Sequence, residues 1–126
     1  MIFTHVNVLT EEIIGAAIEV HRLLGLGLLE SAYQQCLAKE LQLRDIPYRY
    51  EWPMPLDYKG MRLKCGYRVD LLVADTVVVE TKSIAAIAPV HEAQLHTYLR
   101  MSRMRIGLIL NFNARRLTEG IRRYVV

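Results

Sequence analysis

Asp70, Glu80 and Lys82 stand inside a stretch, Tyr67 to Ser83, that is otherwise mostly β-branched and aliphatic. Two carboxylates can hold a hard divalent cation, and a nearby amine adds a point charge at its rim. That chemistry requires all three side chains to meet. Taken alone, Asp-x9-Glu-x-Lys is a weak pattern: Glu80 and Lys82 read equally as a solvated strand-end pair, with Asp70 an ordinary exposed residue. Three valines directly before Glu80 speak against this bland reading, because such a run marks an interior strand covered on both sides.

Register decides whether the three meet. The stretch reads as two strands joined by a tight turn near Ala74, Asp75 and Thr76. An odd-length loop centred on Asp75 pairs Val73 with Val77, Leu72 with Val78, Leu71 with Val79 and Asp70 with Glu80. Opposed residues share a face, as do residues two apart in one strand. Asp70, Glu80 and Lys82 then occupy one face, with Val69, Leu71, Val73, Val77, Val79 and Thr81 on the other. A two-residue turn would separate the carboxylates. Opposed carboxylates with Cβ atoms roughly 4.5–5.5 Å apart repel, so a cation is expected between them. Mg²⁺ commonly uses one or two carboxylates plus waters and substrate phosphate. Lys82 would then orient the attacking water or stabilise charge on a phosphorane-like transition state.

A chain of 126 residues, 52% hydrophobic and 23% charged, suits a single domain over 1–126 with a real core. It has no linker-like, repetitive or low-complexity segment. No apolar run reaches the ~20 residues of a membrane span, and the N-terminus lacks a signal-peptide pattern. Cys36 and Cys65 match no zinc or redox spacing and read as reduced thiols in a cytoplasmic protein. Net charge is +3 and the pI is near 9.0, which is compatible with a polyanionic partner. Arg100, Arg103, Arg105, Arg115, Arg116, Arg122 and Arg123 all fall in the last quarter. They form either a nucleic-acid face or a solubilising surface.

After a lead-in over residues 1–9, Thr10 can cap a helix carrying Glu11 and Glu12 in its first turn. His21 on its apolar side reads as structural. Gly25 and Gly27 break it. A second helix, about Leu28 to Arg44, turns Tyr33, Leu37 and Leu41 inward, with Glu30 along the same stripe. Tyr48 to Tyr58 is strand-like, with Pro53 and Pro55 suggesting an edge or bulged path. Lys59-Gly60 is a turn, and Met61 to Cys65 opens the next strand. Pro89 begins a third helix, to about Met101. Val90, Gln94, Thr97, Tyr98 and Met101 form one face, on which Gln94 is either hydrogen-bonded structurally or turned to the site; His91 reads as exposed. Ile106 to Leu110 is an apolar strand, and Leu117 to Val126 adds an edge strand. The strand–helix–strand unit implies a parallel crossover, helices on both sheet faces, and the second helix near the emerging Asp70, Glu80 and Lys82.

Gly27-Leu-Leu-Glu30-Ser-Ala-Tyr33 resembles the Gly-x-x-Glu-x-x-Tyr signature of the GxxExxY protein family. His21 to Gly25, Tyr58 to Gly60, Tyr67 to Asp70, Glu80 to Lys82, Gln94 to Leu99 and Gly107 to Phe112 are similar to that family in the same order. The family is placed in the PD-(D/E)XK nuclease superfamily. The resemblance implies an α/β, restriction-endonuclease-like core of αβββαβ order, a mixed central sheet flanked by helices. It implies Asp70 and Glu80 as acidic metal ligands, Lys82 as the lysine, Glu30 as the helix carboxylate completing the site, the Thr81 carbonyl as a further ligand, and Gln94 as the helix glutamine. Val69 stands where the superfamily name has Pro.

The implied function is hydrolysis of DNA or RNA with Mg²⁺, or Mn²⁺ in its place. Asp70, Glu80, Lys82 and Gln94 would be catalytic; Glu30, Asp70, Glu80 and Thr81 would hold the metal; Tyr33, Arg68 and Tyr98 would contact substrate. The alternative is a catalytically silent nuclease-like fold that binds nucleic acid or protein. A homodimer or an unidentified protein partner is open, and no membrane association is expected. No recognition helix, zinc finger or aromatic stacking platform is evident.

Overall fold

The computed structural model describes residues 6–63 and 66–126. Helices α1 (Val6–Leu24) and α2 (Glu30–Leu43) lead into β1 (Tyr48–Pro53). The short strands β2 (Asp57–Tyr58) and β3 (Met61–Arg62) precede β4 (Arg68–Val73) and β5 (Val77–Lys82). Helix α3 (Pro89–Ser102), β6 (Ile106–Asn111), a 3₁₀ turn (Leu117–Gly120) and β7 (Ile121–Val125) complete the chain.

The main sheet has the order β1-β4-β5-β6-β7. It is antiparallel except where β5 pairs with β6 in parallel, joined through α3. The αβββαβ core is therefore α2, β1, β4, β5, α3 and β6, a mixed sheet flanked by helices. Helix α1, the β2–β3 ribbon and the edge strand β7 are additions.

The valine run before Glu80 is the middle of that sheet. Val77, Val78 and Val79 are fully buried, as an interior strand covered on both sides requires. Val77 and Val79 pack with α1 and α2, including Leu37 and Leu41. Val78 packs on the other face with Leu95 and Leu99 of α3.

Three local expectations change. Helix α1 starts before Thr10, whose hydroxyl donates to the Asn7 carbonyl (3.0 Å) and is buried rather than capping. The apolar stripe of Ile13, Ala16 and Val20 already includes Leu9, so the helix extends a turn earlier. Residues 1–5 of the expected lead-in lie outside the described residues. Helix α3 turns Leu95 and Leu99 inward, while Val90, Gln94 and Met101 are exposed. Both of its stripes are apolar, and Gly107 decides between them: a Cβ there would lie 2.6 Å from Leu95 Cδ1, so Leu95 docks where β6 has no side chain. Met61 and Arg62 do not run on into β4; they fold back on Asp57 and Tyr58 around Lys59 and Gly60, both at positive φ. Cys65, expected in the opening of the next strand, lies outside the described residues, and Cys36 is a half-buried free thiol.

The carboxyl ends of β5 and β6, the start of β4 and the end of β1 share one end of the sheet. Open α/β sheets generally bind ligands at the carboxyl ends of their strands.

Candidate active site

The β4–β5 loop is Ala74, Asp75 and Thr76, an odd number, so Val73 pairs with Val77, Leu72 with Val78 and Leu71 with Val79. Ala74 (φ 51°) and Asp75 (φ 50°) turn the chain, and Thr76 N–H donates to the Val73 carbonyl (2.9 Å). The next pair, Asp70 and Glu80, is held differently. Asp70 N–H donates to Glu80 Oε1 (3.3 Å). Asp70 Oδ2 accepts from Thr81 N–H (2.8 Å) and from the Thr81 hydroxyl (2.9 Å). Side chains thus replace ladder bonds, and strict alternation ends at Asp70. Val69 joins the cluster of Leu72 and Val78 instead of the face of Leu71, and Thr81 reaches Asp70 instead of pointing away from it.

Backbone donors meet part of the anticipated repulsion: Asp70 N–H donates to Glu80 and Thr81 N–H to Asp70. Glu80 is only 8% exposed. Burial first, then the neighbouring Asp70 charge, pushes its carboxyl up to about 8, against the opposing pull of Lys82. Glu30 is also raised, first by burial; Asp70 adds to the shift, while Lys82 and His91 oppose it. Glu30, Asp70, Glu80 and Lys82 therefore form one electrostatic cluster at the β5 end.

The Gly27–Tyr33 segment places Glu30 there. Gly25 (φ 69°) and Gly27 (φ 90°) adopt the left-handed conformation that only glycine takes without cost. Glu30 opens α2 directly afterwards. The fully buried Tyr33 donates its hydroxyl to the Gly25 carbonyl, accepts from Leu28 N–H (3.3 Å) and stacks its ring on Phe112 at 4.7 Å. The Ser83 hydroxyl donates to the Leu28 carbonyl (2.8 Å), tying the same loop to the residue after Lys82. Tyr33 is thus a clamp, not a substrate contact: its ring is enclosed and its hydroxyl occupied. Tyr33→Phe is expected to cost ~1–3 kcal/mol by stranding these backbone groups. Thermal unfolding would show this, and unchanged stability would contradict the clamp.

Asn111, part of the family-like Gly107–Phe112 segment but given no site role from sequence, is buried at the end of β6 beside Lys82. Its Oδ1 accepts from Ile84 N–H (3.1 Å) and Asn113 N–H (3.2 Å), and its Nδ2 donates to the Ile84 carbonyl (3.0 Å). It fixes the small-residue loop that follows Lys82. An amide ending an apolar strand was the available signal. His91 is half-buried rather than exposed, its Nδ1 accepting from Ala88 N–H (2.8 Å) at the start of α3. His21 is structural, its Nε2 bonded to the Ala114 carbonyl (2.9 Å).

Tyr98 faces the cluster. Its phenol is raised first by burial and then by Glu80, Tyr67 and Asp70. Gln94 is exposed one turn earlier on α3, on the same side as Tyr98. Arg68 is exposed at the start of β4, 3.5 Å from Glu51. The arginines of the last quarter do not form one face. Arg103 and Arg105 line a cleft with Asp75 and Thr76 at the opposite end of the sheet. Arg123 donates to Asn7 of α1 (2.8 Å). Arg115 and Arg122 line a cleft of about 340 Å³ with Asn111 and Asn113, next to the β5 end.

Among the described residues, no group of three or more His, Cys, Asp and Glu forms a ready-made metal cage. The donors fit Mg²⁺ all the same: they are hard oxygens, and Mg²⁺ needs only one or two carboxylates with water at its remaining positions. Asp70 Oδ2 is engaged by Thr81, while Oδ1 accepts no hydrogen bond among the described residues. Burial is the main cause that raises Glu30 and Glu80, and the Asp70 charge adds to both shifts; a bound cation would oppose them.

A family model described as the PD-(D/E)XK nuclease superfamily matches residues 7–124. No curated protein and no solved structure matches the chain. Among the described residues no helix is long and apolar enough to cross a membrane. The family match spans α2, the β4–β5 pair, α3 and β6, the elements that assemble the cluster, and the chain belongs to the PD-(D/E)XK nuclease superfamily.

Proposed function

We propose that this chain is a divalent-metal-dependent nuclease that hydrolyses phosphodiester bonds of DNA or RNA. The carrying observation is the cluster itself: Asp70 and Glu80 bonded across two strands, with Lys82 and Glu30 acting on the same buried carboxyl. Glu30, Asp70, Glu80 and the Thr81 carbonyl would hold Mg²⁺, with Mn²⁺ as a substitute. The bound ion supplies Lewis-acid charge and acidifies water.

Lys82 holds the attacking water and faces the charge that grows on the phosphate. Gln94 and Tyr98 orient the substrate from α3, and Arg68 does so from the start of β4. Water adds to phosphorus, one ester P–O bond breaks, and the products are a phosphate monoester and a hydroxyl. Incubation with single- and double-stranded DNA and RNA, in Mg²⁺, Mn²⁺ or chelator, tests this. Cleavage that requires metal and is lost in Asp70→Asn supports it. Nucleic-acid binding with no cleavage, unaffected by metal, moves the reading to a silent binding module.

Arg115 and Arg122 are expected to hold the sugar–phosphate backbone beside the scissile bond. Arginine forks match phosphate geometry. Replacing both by alanine should weaken binding and lower the slope of log K against log salt concentration by about 0.7–0.9 per lost phosphate contact. Arg103→Ala with Arg105→Ala, at the far end of the sheet, should do neither. Anisotropy of a labelled oligonucleotide in chelator reads both, and equal effects from the two pairs would refute the assignment.

A further inference from the structure

Trp52 and Tyr67, fifteen positions apart in sequence, meet in a cleft of about 520 Å³ together with Pro53, Met54, Leu56 and Arg62. Strand pairing brings them together: Trp52 opposes Val69 and Pro53 opposes Arg68, and Met54 N–H donates to the Tyr67 carbonyl (2.9 Å). Trp52 is half-buried against the α3-side cluster, where Tyr98 also packs. Tyr67 is 46% exposed. The cleft adjoins the proposed catalytic cluster through the strand register: Trp52 opposes Val69, the residue before Asp70, and Tyr67 lies three residues before Asp70. Arg68, next in the chain, is exposed at the same edge.

From this placement we infer that the cleft takes an unstacked nucleobase, and that the substrate is a single-stranded nucleic acid. The inference rests on the nuclease reading above and names its substrate class. An apolar, aromatic-lined cleft beside a phosphate-cleaving centre provides a sequence-tolerant stacking platform, because every base has a π-face. The arginine cleft lies on the β6 side of the site and the aromatic cleft on the β1 side. A strand crossing the sheet end meets both. A base within a duplex would first have to be flipped out, at a cost of a few kcal/mol, whereas a single strand offers its bases directly.

Trp52 is the only tryptophan and reports on the cleft directly. The full chain in chelator would be titrated with oligothymidylate and oligouridylate of about fifteen nucleotides and with a duplex of the same length. Trp52 fluorescence and anisotropy of the labelled oligonucleotide would be read together. Single strands are expected to quench Trp52 and to bind several-fold more tightly than duplex. Tyr67→Ala should weaken single-strand binding about tenfold, and Tyr67→Phe should restore it. Tyr67 is exposed, so a melting curve suffices to confirm that its variants fold. Oligonucleotide binding with unchanged Trp52 emission and a neutral Tyr67→Ala overturns the base site while leaving the nuclease reading intact. Equal or tighter duplex binding overturns the single-strand assignment, and so does the absence of single-strand binding. Cleavage in metal, measured separately, then judges the nuclease reading on its own.

Discussion

Lys82→Ala is expected to lower metal-dependent cleavage by about 10²–10⁴-fold, the range associated with removing a positioned proton-handling or charge-stabilising group. The protein should still melt close to the parent temperature. Lys82 is half-buried at the end of β5, and its side chain makes no hydrogen bond or ion pair among the described residues. Its influence is electrostatic: it opposes the upward shifts of both Glu30 and Glu80. Loss of the ammonium would therefore remove the charge proposed to face the phosphate and leave the two carboxyls harder to ionise. Lys82→Arg separates these effects. It keeps the positive charge near Glu80 but replaces a compact ammonium with a planar fork. Arginine should restore the pH dependence of metal binding more fully than the cleavage rate. The variants must be purified identically to the parent, since a trace contaminating nuclease would survive every substitution. Full activity in Lys82→Ala would remove the lysine from the mechanism.

What the sequence disclosed about this site followed from strand periodicity. Val73 and Val77 bracket a three-residue loop, and the odd count carries the register back to Leu71 and Val79, one residue short of Asp70 and Glu80. The next contact was hidden, because side chains decide it: Thr81 donates twice to Asp70 and bends the simple two-face pattern. The α3 face was ambiguous in principle. Val90 and Met101 compete with Leu95 and Leu99, and the choice is made by Gly107, a residue on another element. The aromatic cleft was equally invisible, since Trp52 and Tyr67 become neighbours only through the β1–β4 register. Tyr33 shows the opposite hazard. Its inward spacing was clear, yet it was also expected to contact substrate, whereas its hydroxyl is spent on Gly25 and Leu28.

Glu80→Gln is expected to stabilise the metal-free protein at pH 8–9 while abolishing cleavage. In the native state burial raises the Glu80 carboxyl to about 8 from an ordinary 4.5. Between those values the folded protein holds a proton that the unfolded chain releases, so stability falls as pH rises. The loss begins above about 4.5 and levels off above about 8. Each unit of displacement corresponds to ~1.4 kcal/mol, so the penalty at alkaline pH amounts to several kcal/mol. Glutamine keeps the size and an acceptor for Asp70 N–H but carries no charge, and it should remove this slope. Melting curves from pH 5 to 9 would show wild type weakening more steeply than Glu80→Gln, which keeps the smaller contribution of the raised Glu30; parallel curves would mean that Glu80 is ionised without strain. Mg²⁺ should raise the wild-type melting temperature at pH 8 and have little effect on the variant, because a ligand that binds only the folded state stabilises it. Such a slope at Glu80, relieved by a cation, would mark a trade of stability for function.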